Sequence, residues 1–324
     1  ALTDSNGTFE TAPAEQDSDN DGVSDAFDEF INDAQRAYTT HYPSINDTVS
    51  ILFEDMWPKE GDYDMNDLSV ELHIAEIKDS QNLVKEIQLS SKLKANGAAY
   101  KNGFAIQIDT SIENIESTTF YINSVESYSN VISNDNGTSI VTFFTDAVKE
   151  FKKMDDYSSF ASSSNAACND PYNRFINVCE SRAMVSSPEF NITIVLKEPT
   201  NISNPPYNPF LIVDNGVLDY NEVHLPNYMP TSRANENLFN THNDASDLNS
   251  SLTYKTKRDK PWGLLIPTSF SYPLERKNIS TVYRHYNDWV HSDGADYYDW
   301  YLHNKLDDED NLYAHPNKIF NVSD

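Results

Sequence analysis

Apolar and polar positions alternate along much of this chain. Leu68, Val70, Leu72 and Ile74 are interleaved with Ser69, Glu71, His73 and Ala75, a period of two that turns one side of an extended strand toward a core. Phe104, Ile106 and Ile108, then Ile140 to Phe144, then Phe190 to Leu196, are further β-rich stretches separated by Asn, Asp, Ser and Gly turns. The pattern predicts a mainly β fold, an antiparallel β-sandwich or jelly roll. Two stretches follow the helical period instead. Phe30, Ile31, Ala34, Ala37 and Tyr38 suit a short helical turn, and Ile279, Val282, Tyr283, Tyr286 and Trp289 predict a C-terminal helix packed on the sheet.

Two acidic segments interrupt the alternation. From Asp17 to Asp28 the chain reads D-S-D-N-D-G-V-S-D-A-F-D, with Asp17, Asp19, Asp21, Asp25 and Asp28 at positions 1, 3, 5, 9 and 12 of a twelve-residue loop. Gly22 takes the turn position and the Val23 carbonyl follows it, so the layout is that of an EF-hand-like calcium loop. Ca²⁺ is a hard ion that gathers oxygens, and alternating carboxylates on one side of a tight turn can close around it. Asp28 stands where a bidentate Glu is usual, so it either gives one oxygen or leaves a place for water. The helical turn after it would be the exit of the loop, and Asp33 is placed to return to the same ion.

The second segment, F-E-D-M-W-P-K-E-G-D-Y-D-M-N-D, runs from Phe53 to Asp67. Asp62, Asp64 and Asn66 alternate on one side of an extended turn, Asp67 closes the run, and Glu54 and Asp55 approach from the preceding residues. Only oxygen ligands are offered, which selects Ca²⁺ over zinc or copper. Trp57 and Tyr63 are expected to seal the core around this loop rather than to bind a ligand.

By this pattern the chain divides into an extended or flexible arm at residues 1–16, a calcium loop with its short helix at 17–38, and a β-rich domain at 39–324. Composition adds constraints. With 324 residues, 38% hydrophobic and 12% aromatic, the chain can bury a large core. A formal charge of −28 and a pI near 4.4 argue against nucleic acid or anionic membrane as partners and leave cations as the natural ones. No apolar run approaches the roughly eighteen residues that a membrane span needs. Ala1 reads as a mature terminus, any signal peptide having been removed or never included. Cys168 and Cys179 enclose a short loop rich in turn formers. A disulfide is expected there in a secreted chain, with two free buried thiols as the alternative.

Further short motifs carry a family resemblance. After the aspartate-rich loop, which resembles a thrombospondin type 3 repeat, and F-E-D-M-W-P-K-E-G-D-Y-D-M-N-D-L come several more in order. They are N-P-F-L (Asn208 to Leu211), E-V-H-L-P (Glu222 to Pro226), P-T (Pro230, Thr231), P-W-G-L-L-I-P (Pro261 to Pro267), Y-P-L-E (Tyr272 to Glu275) and D-W-Y (Asp299 to Tyr301). In that order they resemble the bacterial LruC domain proteins, a family also described by a DUF4842 module, over about residue 17 to residue 302. The resemblance implies a place at the bacterial envelope or exterior and a use for calcium, and it implies no established catalytic activity. The Cys168 to Cys179 loop and the acidic tail from Asp307 to Asp310 depart from the pattern.

Motifs of catalysis are missing from the chain. There is no H-E-x-x-H, G-x-S-x-G, P-loop or Rossmann fingerprint, and the eight histidines are scattered. His224 and His285 are read as core or surface residues rather than ligands. Paired carboxylates of the glycosidase kind carry no specificity among 51 acidic residues. The leading expectation is a secreted calcium-binding protein of the cell surface or extracellular matrix, structural or adhesive, self-assembling into filaments. A calcium-dependent carbohydrate- or peptide-binding module is the alternative, and a secreted hydrolase comes third. Assembly would use the arm of residues 1–16, with Leu2, Phe9 and Ala12, as an added strand on a neighbour's sheet edge. Partners would then be calcium ions, copies of the chain itself, or surface glycans and proteins.

Overall fold

The computed structural model describes residues 16–158, 163, 165–180, 182–218, 220–307, 309 and 311–320. The proposed arm (except Gln16), most of the Ser158 to Ser164 loop, and Asp308 and Asp310 of the acidic tail lie outside the described residues. Thirteen strands follow in chain order: β1 (Tyr38–Tyr42), β2 (Val49–Phe53), β3 (Leu68–Lys78), β4 (Val84–Ala95), β5 (Lys101–Ile108), β6 (Ile115–Ile122), β7 (Val125–Glu126), β8 (Ile132–Asp135), β9 (Thr138–Phe144), β10 (Glu189–Thr200), β11 (Asn208–Asp214), β12 (Asn221–His224) and β13 (Gly263–Ile266). They form two wholly antiparallel sheets. One has the order β13-β2-β3-β4-β10-β6-β7, with β1 also on β3, and the other β12-β11-β5-β9-β8.

β1 and β2 share one edge of β3. Tyr42 pairs with Ile74 and Val49 with Leu72, so the two short strands cover successive halves of one long one. The four stretches of alternation seen in the sequence became β3, β5, β9 and β10. Their apolar sides meet: Val70, Leu72, Ile74, Ile192 and Ile194 of the large sheet share one cluster with Phe104, Ile106, Val141 and Leu211 of the small one. This inter-sheet layer is the main core of an antiparallel sandwich.

A second core covers the other side of the large sheet. Leu52, Leu264 and Ile266 pack there with Phe270, Tyr272, Ile279, Val282, Tyr283, Tyr286 and Trp300. Both faces of β2 and most of β3 are therefore dry: all five residues of β2 are buried, and so are Ser69 and Glu71 of β3. Glu71 is accommodated by Ser269 Oγ at 2.8 Å and Lys94 Nζ at 3.3 Å, since a buried carboxylate needs donors.

The first helical expectation is corrected. Residues 30–37 form successive turns and Tyr38 begins β1. The carboxylates of Asp28 and Asp33 accept the N–H groups of Phe30 and Gln35, local bonds that compete with a helical ladder, while Ala37 bonds to Lys78 at the end of β3. The expected C-terminal helix is present as two short ones, α2 (Ile279–Val282) and α3 (Tyr286–His291), after α1 (Ala147–Phe151). Tyr283 between them has an extended backbone and bridges Ala314, and Arg284 N donates to the Tyr313 carbonyl. The periodic residues Ile279, Val282, Tyr283 and Tyr286 are buried all the same.

Candidate metal centre

Two groups of carboxylates come close enough to share an ion among the described residues. The first is Asp17, Asp19 and Asp21, each offering an oxygen within 4.8 Å of the others. The loop is shaped by its own acids: Asp17 accepts from Asn20 N and Gly22 N, Asp19 from Asp21 N, and Asp21 from Val23 N. Asn20 and Gly22 take left-handed backbone angles, φ 63 and 99, which brings the alternate side chains round. One oxygen each of Asp19 and Asp21 is buried with no hydrogen-bond partner, as ion ligands would be. Asp25 stands apart, bound to Ser18 N and Oγ. Asp28 caps the next turn, and Asp33 is not returned to the group, because Arg36 holds it at 2.5 Å.

The second group joins Glu54, Asp62 and Asp64 within the same limit. Glu54 directly follows β2, and Asp67 directly precedes β3, so the loop caps one end of a hairpin in the large sheet. Glu54 is fully buried and sits as the hub: its Oε1 accepts Met65 N at 2.6 Å and its Oε2 Tyr63 N at 3.2 Å. Gly61, at φ 69, approaches so closely that a Cβ there would lie 2.9 Å from Glu54 Oε2. Asp55, Asn66 and Asp67 brace the loop around this trio, and Asn66 Oδ1 is buried with no hydrogen-bond partner. Asp55 N donates to Asp67 Oδ2 at 2.8 Å, Asn102 Nδ2 donates to Asp55 Oδ2 and to the Asp67 carbonyl, and Asn66 Nδ2 reaches the Pro273 carbonyl. Trp57 and Tyr63 are buried walls, the Tyr63 hydroxyl donating to the Pro261 carbonyl.

The electrostatics of this loop are adverse without a cation. Burial, then the charges of Asp64 and Asp62, push Glu54 well above the usual carboxylate range. Asp64 and Asp67 are pushed up in the same way, and burial lifts Asp55 to about 6. Such shifts mark groups whose ionised forms repel one another in a dry place. A divalent ion would remove the conflict, and the ligand chemistry fits a hard one. Glu54, Asp62 and Asp64 would hold it, and it would supply positive charge at the hairpin end.

Three residues at this loop escaped the sequence analysis. Asn102 comes from β5 of the opposite sheet, and Glu275 and Arg276 come from the segment after the second core's Tyr272; Arg276 N donates to Asp64 Oδ2 at 2.6 Å. Glu275 was visible only as the last letter of Y-P-L-E, with nothing local to mark it as a neighbour of the loop. His224 and His285 are not at either group. His224 is fully buried and stacked on Phe210, and His285 stacks on Tyr297.

Comparison with known proteins gives little chemistry. No curated protein matches the chain. A crystal structure from Bacteroides ovatus, provisionally described as a lipoprotein, matches with a TM-score of 0.60 and 17% identity, over 88% of this chain and 76% of that one. At that identity the likeness speaks for the fold alone. No family of enzymes is indicated by either match. The model of the family described as a domain of unknown function matches residues 82–301, and the chain therefore belongs to the DUF4842 family.

Proposed function

We propose that this is a calcium-binding protein of the bacterial cell exterior with a structural or adhesive role. The observation that carries the reading is the trio Glu54, Asp62 and Asp64, with Glu54 and Asp64 buried and Asp62 at the exposed rim, oxygen ligands only, and none of the three forms an ion pair with a basic side chain among the described residues. The Asp17, Asp19 and Asp21 loop supports it as a second calcium position. The Cys168–Cys179 disulfide favours an oxidising compartment, the neighbour described as a lipoprotein fits a surface location, and no helix among the described residues is long and apolar enough to cross a membrane. Calcium, on this reading, sets the rigidity of a scaffold instead of serving a reaction.

Titration of CaCl₂ into the chelator-stripped chain, followed by calorimetry, tests this directly. Two binding events are expected, the tighter lost in Asp64→Asn and the other in Asp21→Ala. At a hundredfold excess over Kd, calcium should stabilise the chain by about 2.7 kcal/mol per site. No heat and no change of Tm with EDTA would end the calcium reading. Filament formation through residues 1–16 is the further part of the proposal, and electron micrographs of intact and truncated chains in calcium decide it: identical particles exclude the arm.

A cavity of about 410 Å³ beside β13 supports a second reading, a glycan-binding module. Tyr42, Tyr228 and Trp289 line it with Asn227 and Asp259, aromatic faces and polar groups of the sort that sugars stack on and bond to. A glycan array in calcium and in EDTA separates it from a purely structural role.

A further inference from the structure

Segment 273–279 lies along residues 62–66 of the β2–β3 loop. Asn66 Nδ2 donates to the Pro273 carbonyl, Arg276 N to Asp64 Oδ2, Asn278 Nδ2 to the Asp62 carbonyl, and Ile279 N to the Tyr63 carbonyl at 2.7 Å. Between these contacts stands Glu275. We propose that Glu275 is a further ligand of the cation held by Glu54, Asp62 and Asp64, so that the centre is built from two distant parts of the chain and the ion latches the C-terminal layer onto the sandwich. The proposal rests on the calcium reading of this loop and adds the ligand that the loop does not contain.

Glu275 is 3% exposed, and its Oε2 is buried with no hydrogen-bond partner. Its other oxygen is 3.8 Å from Arg276 Nε, on a side chain that is 61% exposed, a weak counter-charge. A neutral carboxyl group settled for good would be expected to donate its proton to an acceptor, and Oε2 has none. The group cannot withdraw either. Glu275 N donates to the Val178 carbonyl at 3.0 Å, and the Glu275 carbonyl accepts from Asn165 Nδ2 at 2.9 Å, so its backbone is pinned to the loop beside the disulfide. An unsatisfied buried oxygen, one residue from the Arg276 N–H that bonds Asp64 Oδ2, is what a metal ligand looks like before its ion arrives.

Glu275→Gln in the full chain tests this, with CaCl₂ as the probe. Glutamine keeps the shape of the buried group and carries no charge, so Tm in EDTA should hold or rise. In saturating calcium Tm should fall, and the affinity of the Asp64-dependent site should drop at least tenfold while the Asp21-dependent site stays unchanged. Calcium should also protect residues 270–320 from hydrogen exchange in the native chain and protect them less in the variant. A Tm lowered equally in EDTA and in calcium would show a purely structural Glu275 and overturn the proposal, as would an unchanged affinity at the Asp64-dependent site. If the native chain binds no calcium at that site, the loop reading itself fails and Glu275 falls with it.

Discussion

Buried acids at the hairpin end give the metal-free protein an unusual pH response. Asp55 is raised by burial from 3.8 to about 6, and Glu275, by burial and by Asp62, from 4.5 to about 8. In both, the folded state keeps a proton that the unfolded state has released, so stability declines as pH rises through that window, by about 1.4 kcal/mol for each unit of displacement. In EDTA the Tm should therefore be higher near pH 5 than near pH 8. With calcium bound the acids are ionised, and the trend should reverse, because the ion competes with protons for the same oxygens. Two glycines make the other residue-scale prediction. A Cβ at Gly97 would fall 1.7 Å from Asn66 Oδ1, and one at Gly103 would fall 2.7 Å from the Phe144 carbonyl. Gly97→Ala displaces the loop-bracing Asn66 and should weaken calcium binding as well as stability. Gly103→Ala meets only backbone and should cost about 1–3 kcal/mol in denaturant unfolding, with calcium affinity per folded molecule unchanged.

At the scale of elements, the disulfide loop and the Glu54 to Asp67 loop are coupled through the turn at Glu275 and Arg276. Cys168 and Cys179 lie in the second core with Val178, whose carbonyl holds Glu275 N. Replacing both cysteines by serine should lower Tm, with a stability cost of about 2–4 kcal/mol, and should weaken the Asp64-dependent calcium site while sparing the Asp21-dependent one. A calorimetric titration of the double variant showing both sites intact would break this link. β3 shows the same dependence on what lies above it. Ser69 and Glu71, polar members of its alternation, are buried beneath the C-terminal layer, where Ser269 Oγ donates to Glu71. Leu72→Ala, in the inter-sheet core, should cost about 2–5 kcal/mol, read as a shift of the denaturant midpoint.

Across the whole molecule, a charge of −28 opposes compaction unless cations offset it. Monovalent salt should raise Tm in EDTA by screening the exposed charges. It should not substitute for calcium, since the buried acids are poorly reached by the Debye atmosphere. A Tm in half-molar NaCl and EDTA equal to that in calcium would contradict this.

What the amino-acid order determines by itself is local. Alternation over β3, β5, β9 and β10 shows the β class, because side chains of a strand face opposite sides at a period of two. The Asp17 to Asp21 spacing around Gly22 forms its carboxylate group by short-range turns alone. The short strands were not legible. β13 is Gly-Leu-Leu-Ile and β2 is buried on both faces, so neither alternates. The C-terminal period survived as a set of buried residues but not as one helix, since Tyr283 gained more from bridging Ala314 than from continuing a turn. Only the tertiary structure decided that Asn102 crosses from the second sheet to Asp55 and that Glu275, its N–H bonded to the Val178 carbonyl, is buried beside the loop of Asp64. Those placements depend on chain segments that meet only after both cores have formed, and no local periodicity encodes such a meeting.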